Sequence, residues 1–122
     1  MAEKQKTLKS SFTIEGVGLH TGKQTKLVVH PAEPDSWYMF RRTDLPDGPS
    51  IKADVDNVIS TKRGTSLGND KMEVHTTEHL LAALYGMGVD NALIEMDGPE
   101  VPILDGSAKL FIEAIESVGL AE

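Results

Sequence analysis

Residues 76–96, TTEHLLAALYGMGVDNALIEM, decide the fold class of this chain. Leu80, Leu84 and Met87 recur at helical spacing, which predicts an amphipathic helix. The apolar run at 91–96 then predicts a buried strand. A helix that leads directly into a buried strand is expected to pack on the sheet that contains this strand.

Both helices that the sequence predicts are expected to have conventional ends. Thr76 is placed to cap the N-terminus of the first helix, and Gly86 and Gly88 are placed to end it. The turn at 105–107 is expected to open the second helix. Gly119, followed by a leucine, predicts a Schellman-type stop.

The rest of the chain predicts mainly strands. These lie at 7–15, 25–30, 37–42, 51–58, a hairpin of 65–67 with 71–74, and 101–104. Many strands followed by helix, strand and helix indicate an α+β two-layer sandwich, in which two helices pack on one face of a mixed β-sheet. No repeat or linker divides residues 1–122, so we expect a single domain.

The composition excludes several classes of function. The 122 residues contain no cysteine, so a disulfide framework, a thiolate zinc site and a cysteine nucleophile are ruled out. A net charge of −7 disfavours nucleic-acid binding, which needs a positive surface. The polar first residues indicate no signal peptide, and no apolar run is long enough for an integral membrane segment, so we expect a cytoplasmic protein.

The densest group of chemically active side chains is HTTEH at 75–79. H-x-x-E-H is the pattern of inverted zinc peptidases, in which both histidines bind zinc and the glutamate activates water. That interpretation needs His75 and His79 on one helix face, since residues four apart share a face. A helix that begins at Thr76 would leave His75 outside it.

A second interpretation uses only Glu78 and His79, in the first helical turn. The positive end of the helix dipole favours an ionised Glu78. His79 offers a neutral imidazole to a metal, and Glu78 accepts a proton from the water that the metal activates. The alternative without chemistry is that Glu78 only complements the dipole and His79 is a surface residue.

Four motifs occur in a recognisable order: GVGLHTG at 16–22, FRRTD at 40–44, TEHL at 77–80 and PILDGS at 102–107. Together they resemble the UDP-3-O-acyl-N-acetylglucosamine deacetylases, zinc enzymes of lipid A biosynthesis, over nearly the whole chain. The resemblance implies two similar two-layer domains with the active site between them. This chain matches the N-terminal domain, and the second domain is absent from it.

The resemblance also implies roles for individual residues. It makes Glu78 the general base and His79 a ligand of one Zn²⁺, although a site of His, Asp and water also accepts Fe²⁺. The implied reaction releases acetate from the UDP-linked, acylated glucosamine. The residues implied to border that substrate are Leu19, His20, Thr61, Arg63 and Gly64.

The ligands still missing, a histidine and an aspartate, belong to the second domain of the family. One histidine and one glutamate do not close a catalytic zinc site, which takes three protein ligands and a water. We therefore expect the isolated chain to be inactive, to bind zinc weakly and to self-associate through its unpartnered face. The non-enzymatic alternative is an interaction domain that binds a second domain on another chain.

Overall fold

The computed structural model describes residues 5–19, 21–53, 58–60, 66–69, 72–104 and 108–121. In chain order its elements are β1 (Thr7–Leu8), β2 (Phe12–Val17), β3 (Gln24–Pro31), β4 (Tyr38–Arg42), β5 (Ser50–Lys52), β6 (Val58–Ser60), β7 (Ser66–Gly68), β8 (Glu73–Val74), α1 (Glu78–Gly86), β9 (Ala92–Met96), α2 (Lys109–Val118) and β10 (Leu120–Ala121).

The main sheet has five strands in the order β2-β3-β9-β4-β5. Strand β9 lies at its centre, antiparallel to β3 and parallel to β4, so that Ile94 is opposite both Val29 and Phe40. The sheet is therefore mixed. A smaller antiparallel sheet contains β6, β7 and β8, and β1 pairs with β10.

The core lies between the main sheet and the two helices. Side chains alternate between buried and more exposed positions along β3 and β9, as expected for strands with one covered face. The helices cover that face with Leu80, Leu84, Phe111 and Ile115, all completely buried. The predicted α+β arrangement, with two helices on one face of a mixed sheet, is confirmed.

Three of the predicted strands differ from the observed elements. The segment 7–15 is divided into β1 and β2, because β1 leaves the main sheet to pair with β10. The segment 51–58 is also divided: β5 ends at Lys52, β6 begins at Val58, and 54–57 lie outside the described residues. No strand forms at 101–104, where the Ile103 N–H donates to the Val17 carbonyl over 3.0 Å and the Val101 N–H donates to the His75 carbonyl over 3.1 Å.

The predicted helix ends are partly wrong. Thr76 does not cap α1, because its hydroxyl is hydrogen-bonded to Glu100, and the helix begins two residues later. Gly88 follows α1 at φ 80°, as expected for a glycine stop. Gly119 ends α2 at φ 79° and ψ 176°, which directs the chain into β10 instead of closing a Schellman motif. The turn at 105–107 lies outside the described residues.

Among the described residues, neither helix is long and apolar enough to span a lipid bilayer.

Candidate functional site

Glu78 and His79 are the first two residues of α1, and both side chains are partly exposed. The unpaired backbone N–H groups of a helix N-terminus carry positive partial charge, which favours an ionised carboxylate in the first turn. Neither residue is enclosed in the core. A carboxylate and an imidazole are thus within reach of a molecule that approaches this end of the helix.

His75 is separated from this pair in both position and partners. It lies outside α1, in an isolated parallel bridge with Glu100. Its Nδ1 is 2.8 Å from the Ser66 hydroxyl, and its Nε2 is 3.3 Å from a carboxylate oxygen of Glu73. The one-face helical arrangement that an inverted zinc peptidase requires is not formed, because α1 starts three residues after His75.

The glycine-rich segment after β2 forms a tight turn, which we call the Leu19 turn (Gly18, Leu19, Thr21 and Gly22). The Gly22 N–H donates to the Gly18 carbonyl and the Gly18 N–H to the Lys23 carbonyl, each over 3.0 Å. Leu19 projects from it with 59% of its surface exposed. The turn therefore presents an apolar side chain to solvent, and two backbone hydrogen bonds hold it.

Glu100 brings the Leu19 turn and the start of α1 together. Its buried carboxylate accepts a hydrogen bond from the Thr21 N–H over 2.8 Å and another from the Thr76 hydroxyl over 2.5 Å. The sequence by itself does not reveal that Glu100 is buried, because an acid within Gly98-Pro99-Glu100 is typical of an exposed turn. Its burial depends on contacts with residues 24 and 79 positions away.

The family model of UDP-3-O-acyl N-acetylglycosamine deacetylase, LpxC, matches residues 5–122. The chain belongs to the LpxC family. This confirms the resemblance that the four sequence motifs indicated.

Relatives of this LpxC-family domain include two kinds of protein. A UDP-3-O-acyl-N-acetylglucosamine deacetylase from Nostoc sp. is 52% identical over 96% of this chain and 42% of its own length. The one from Citrifermentans bemidjiense is 48% identical over 95% of this chain and 38% of its own length. A "Bifunctional enzyme LpxC/FabZ" from Chlorobaculum tepidum is 48% identical over 97% of this chain and 25% of its own length.

The chain thus spans between a quarter and about two-fifths of the length of these relatives. The donors that this LpxC-family domain offers at α1, one imidazole and one carboxylate, are of the kinds that zinc accepts. The described residues contain no group of three or more histidine and acidic side chains that could hold a metal ion. The donor set fits one part of a zinc site.

The FRRTD motif of this LpxC-family domain connects the main sheet to the smaller sheet through hydrogen bonds of Arg42. Arg42, at the end of β4, donates to both carboxylate oxygens of Asp44 over 2.8 and 2.7 Å and to the Glu73 carbonyl over 3.0 Å. The Arg42 hydrogen bonds lower the pKa of Asp44 below its usual value, outweighing the opposing effect of burial. Arg42 thereby holds β8, the strand that leads into His75 and α1.

Of the predicted substrate-bordering residues, the structure describes only Leu19. His20, Thr61, Arg63 and Gly64 lie outside the described residues.

Proposed function

We propose that the full-length protein is a zinc-dependent deacetylase that hydrolyses the 2-acetamido group of UDP-3-O-(3-hydroxyacyl)-N-acetylglucosamine, in the pathway to lipid A. The observation that carries the proposal is the Glu78–His79 pair at an accessible helix N-terminus, in a chain that the LpxC family model matches over residues 5–122. The names of the two deacetylase relatives support the substrate class.

In this proposal each residue of the pair has one task. His79 donates a ring nitrogen to Zn²⁺, and the remaining ligands come from the part of the protein outside this chain. The bound metal supplies Lewis-acid polarisation of the amide carbonyl and makes water more acidic. Glu78, in the first turn of α1, accepts the proton of the attacking water at a carboxylate oxygen.

We also propose that the substrate lies along the Leu19 turn and the segment 61–64. Leu19 is an exposed apolar side chain on a turn that Glu100 connects to the start of α1. Thr61, Arg63, Gly64 and His20 complete the border in this proposal.

The test is acetate release from this substrate by the full-length protein and its Glu78→Gln and His79→Ala variants. Loss of a general base costs about 10²–10⁴-fold in rate, so Glu78→Gln should lower kcat by that factor and retain zinc. His79→Ala should lose both zinc and activity. Glu116→Gln, at an exposed position on α2, is the matched control and should behave as wild type. A Glu78→Gln variant with near wild-type kcat would refute the assignment.

His75→Ala distinguishes this proposal from the inverted zinc peptidase. The ring of His75 is directed to Ser66 and Glu73, so its removal should leave the zinc content of the full-length protein unchanged. Zinc is measured by metal analysis after dialysis. Loss of zinc from His75→Ala would favour the peptidase arrangement.

A further inference from the structure

We propose that Glu100 is the positioning residue of this site: its buried carboxylate sets the location of the Glu78–His79 pair relative to the Leu19 turn. The assignment rests on the function proposed above. It adds a residue that does not touch the reacting atoms and acts through the backbone on either side of it.

The two oxygens of the Glu100 carboxylate bind two different segments of the chain. One Glu100 oxygen accepts the Thr21 N–H of the Leu19 turn, and the other accepts the Thr76 hydroxyl ahead of α1. Glu100 is 0% exposed. A buried carboxyl group is costly unless its oxygens are hydrogen-bonded. This carboxylate therefore joins two separate segments firmly.

The backbone of Thr76 is strained next to this carboxylate. Its φ is 60°, in the left-handed region that a β-branched residue rarely adopts. Strained backbone of this kind persists where the surroundings over-determine it, often at functional sites. The surroundings here are the Glu100 hydrogen bond and the adjacent bridge, in which the His75 N–H donates to the Pro99 carbonyl and the Val101 N–H to the His75 carbonyl. Since Thr76 lies two residues before Glu78, this conformation sets where α1 begins.

Gly18 lies directly against the Glu100 carboxylate. A Cβ atom at this position would lie 2.3 Å from the Glu100 carboxylate and 2.7 Å from the Thr21 hydroxyl. Only a glycine lets the Leu19 turn lie this close to the acid. The glycine-rich motif thus serves to bring the turn backbone against Glu100.

These contacts predict how the site fails when the carboxylate is lost. Thr76 is released from its strained conformation, and the first turn of α1 shifts relative to the Leu19 turn. A misplacement of about 1 Å can cost about 10²-fold in rate even when it originates away from the chemistry. Effects on the α1 side should appear in kcat and zinc retention, and effects on the Leu19 side in KM.

The test compares four variants of the full-length protein: Thr76→Val, Thr76→Ser, Glu100→Ala and Gly18→Ala. Thr76→Val keeps the β-branch and loses the hydroxyl, so kcat and zinc retention should each fall at least about tenfold, with a smaller change in KM. Thr76→Ser restores the hydroxyl and should be within about threefold of wild type. Glu100→Ala should lower kcat and raise KM together, because both segments are released.

A measurement without substrate completes the test. Hydrogen exchange at the Thr21 amide should accelerate at least tenfold in Glu100→Ala and Gly18→Ala, because its hydrogen bond is to Glu100. It should change little in Thr76→Val, which affects the other carboxylate oxygen. The amide of Val28, within the main sheet, is the internal reference and should be unaffected.

The outcomes separate this proposal from the function on which it rests. A wild-type protein that releases no acetate refutes the proposed function, whereas zinc retention and Thr21 exchange still decide the role of Glu100. If Glu100→Ala does not fold, the comparison of kcat and zinc retention between Thr76→Val and Thr76→Ser tests the positioning role. The positioning role is overturned if Thr76→Val has the kcat and zinc content of wild type. It is also overturned if a lower melting temperature is the only change in this variant.

Discussion

At the scale of single residues, Tyr38 shows how burial changes a proton affinity in this domain. Its hydroxyl donates a hydrogen bond to the Val89 carbonyl. Burial, and then the nearby Asp90 and Tyr85, raise the pKa of Tyr38 to about 12. The folded state therefore binds this proton more tightly than the unfolded chain, in which the tyrosine pKa is about 10.

Tyr38→Phe should change stability in a pH-dependent way. The stabilisation from the protonated hydroxyl is fully present below about pH 10 and is lost as pH rises through about 12. The variant should therefore lose about 1 kcal/mol of unfolding free energy at neutral pH. Its deficit relative to wild type should shrink between about pH 10 and 12. Urea denaturation across this range measures both effects.

Tyr85→Phe is the matched control, because Tyr85 is 82% exposed. At neutral pH its unfolding free energy should equal that of wild type, whereas that of Tyr38→Phe should be about 1 kcal/mol lower. If the unfolding free energies of wild type and Tyr38→Phe vary with pH in parallel, the buried hydroxyl makes no pH-dependent contribution to stability.

At the scale of elements, the start of α1 depends on a distant residue. Serine and threonine before a helix usually cap it, which is why Thr76 is the expected cap. The observed cap position is Thr77, without a side-chain cap hydrogen bond, and the Thr76 hydroxyl is directed to Glu100. A tertiary contact has replaced the local one, and it moves the helix start away from His75.

The other end of α1 provides a test of helix energetics. Gly86 is the last helical residue, and a Cβ added there meets no heavy atom within 4 Å, whereas Gly88 has φ 80°. Gly86→Ala should therefore raise the unfolding free energy by about 0.4–1 kcal/mol, by reducing the entropy of the unfolded chain. Gly88→Ala should lower it by about 1–2 kcal/mol, because the left-handed conformation disfavours a Cβ. Thermal or urea denaturation should show changes in unfolding free energy of opposite sign for the two variants. Changes of the same sign would contradict this explanation.

At the scale of the whole molecule, the chain carries one part of the proposed zinc site. Prepared alone, it should retain well below one zinc per chain after dialysis and should release no acetate from the substrate, since one histidine and one glutamate do not complete the ligand set. It should also self-associate in sedimentation velocity as concentration rises, through the face that the rest of the proposed full-length protein would cover. One zinc per chain after dialysis would contradict the expectation of weak zinc binding. A monomer at high concentration would contradict the expectation of self-association.

The sequence by itself determined the fold class and the elements that have a strong local pattern. The spacing of Leu80 and Leu84 and the apolar run in β9 are local patterns, and they predicted the helix and the buried strand. The same holds for the hairpin of β7 and β8, which the structure confirms. Such patterns are visible in the sequence because the side chains that share a face lie within a few positions of one another.

Only the tertiary structure decided how distant parts of the chain meet at the site. It directs Glu100 to Thr21, 79 residues away, and pairs Thr7 of β1 with Ala121 of β10. It also gives the ring of His75 partners in β7 and β8. The physical reason is that a hydrogen-bond partner far along the chain is selected by the path of the folded backbone, which no local periodicity encodes.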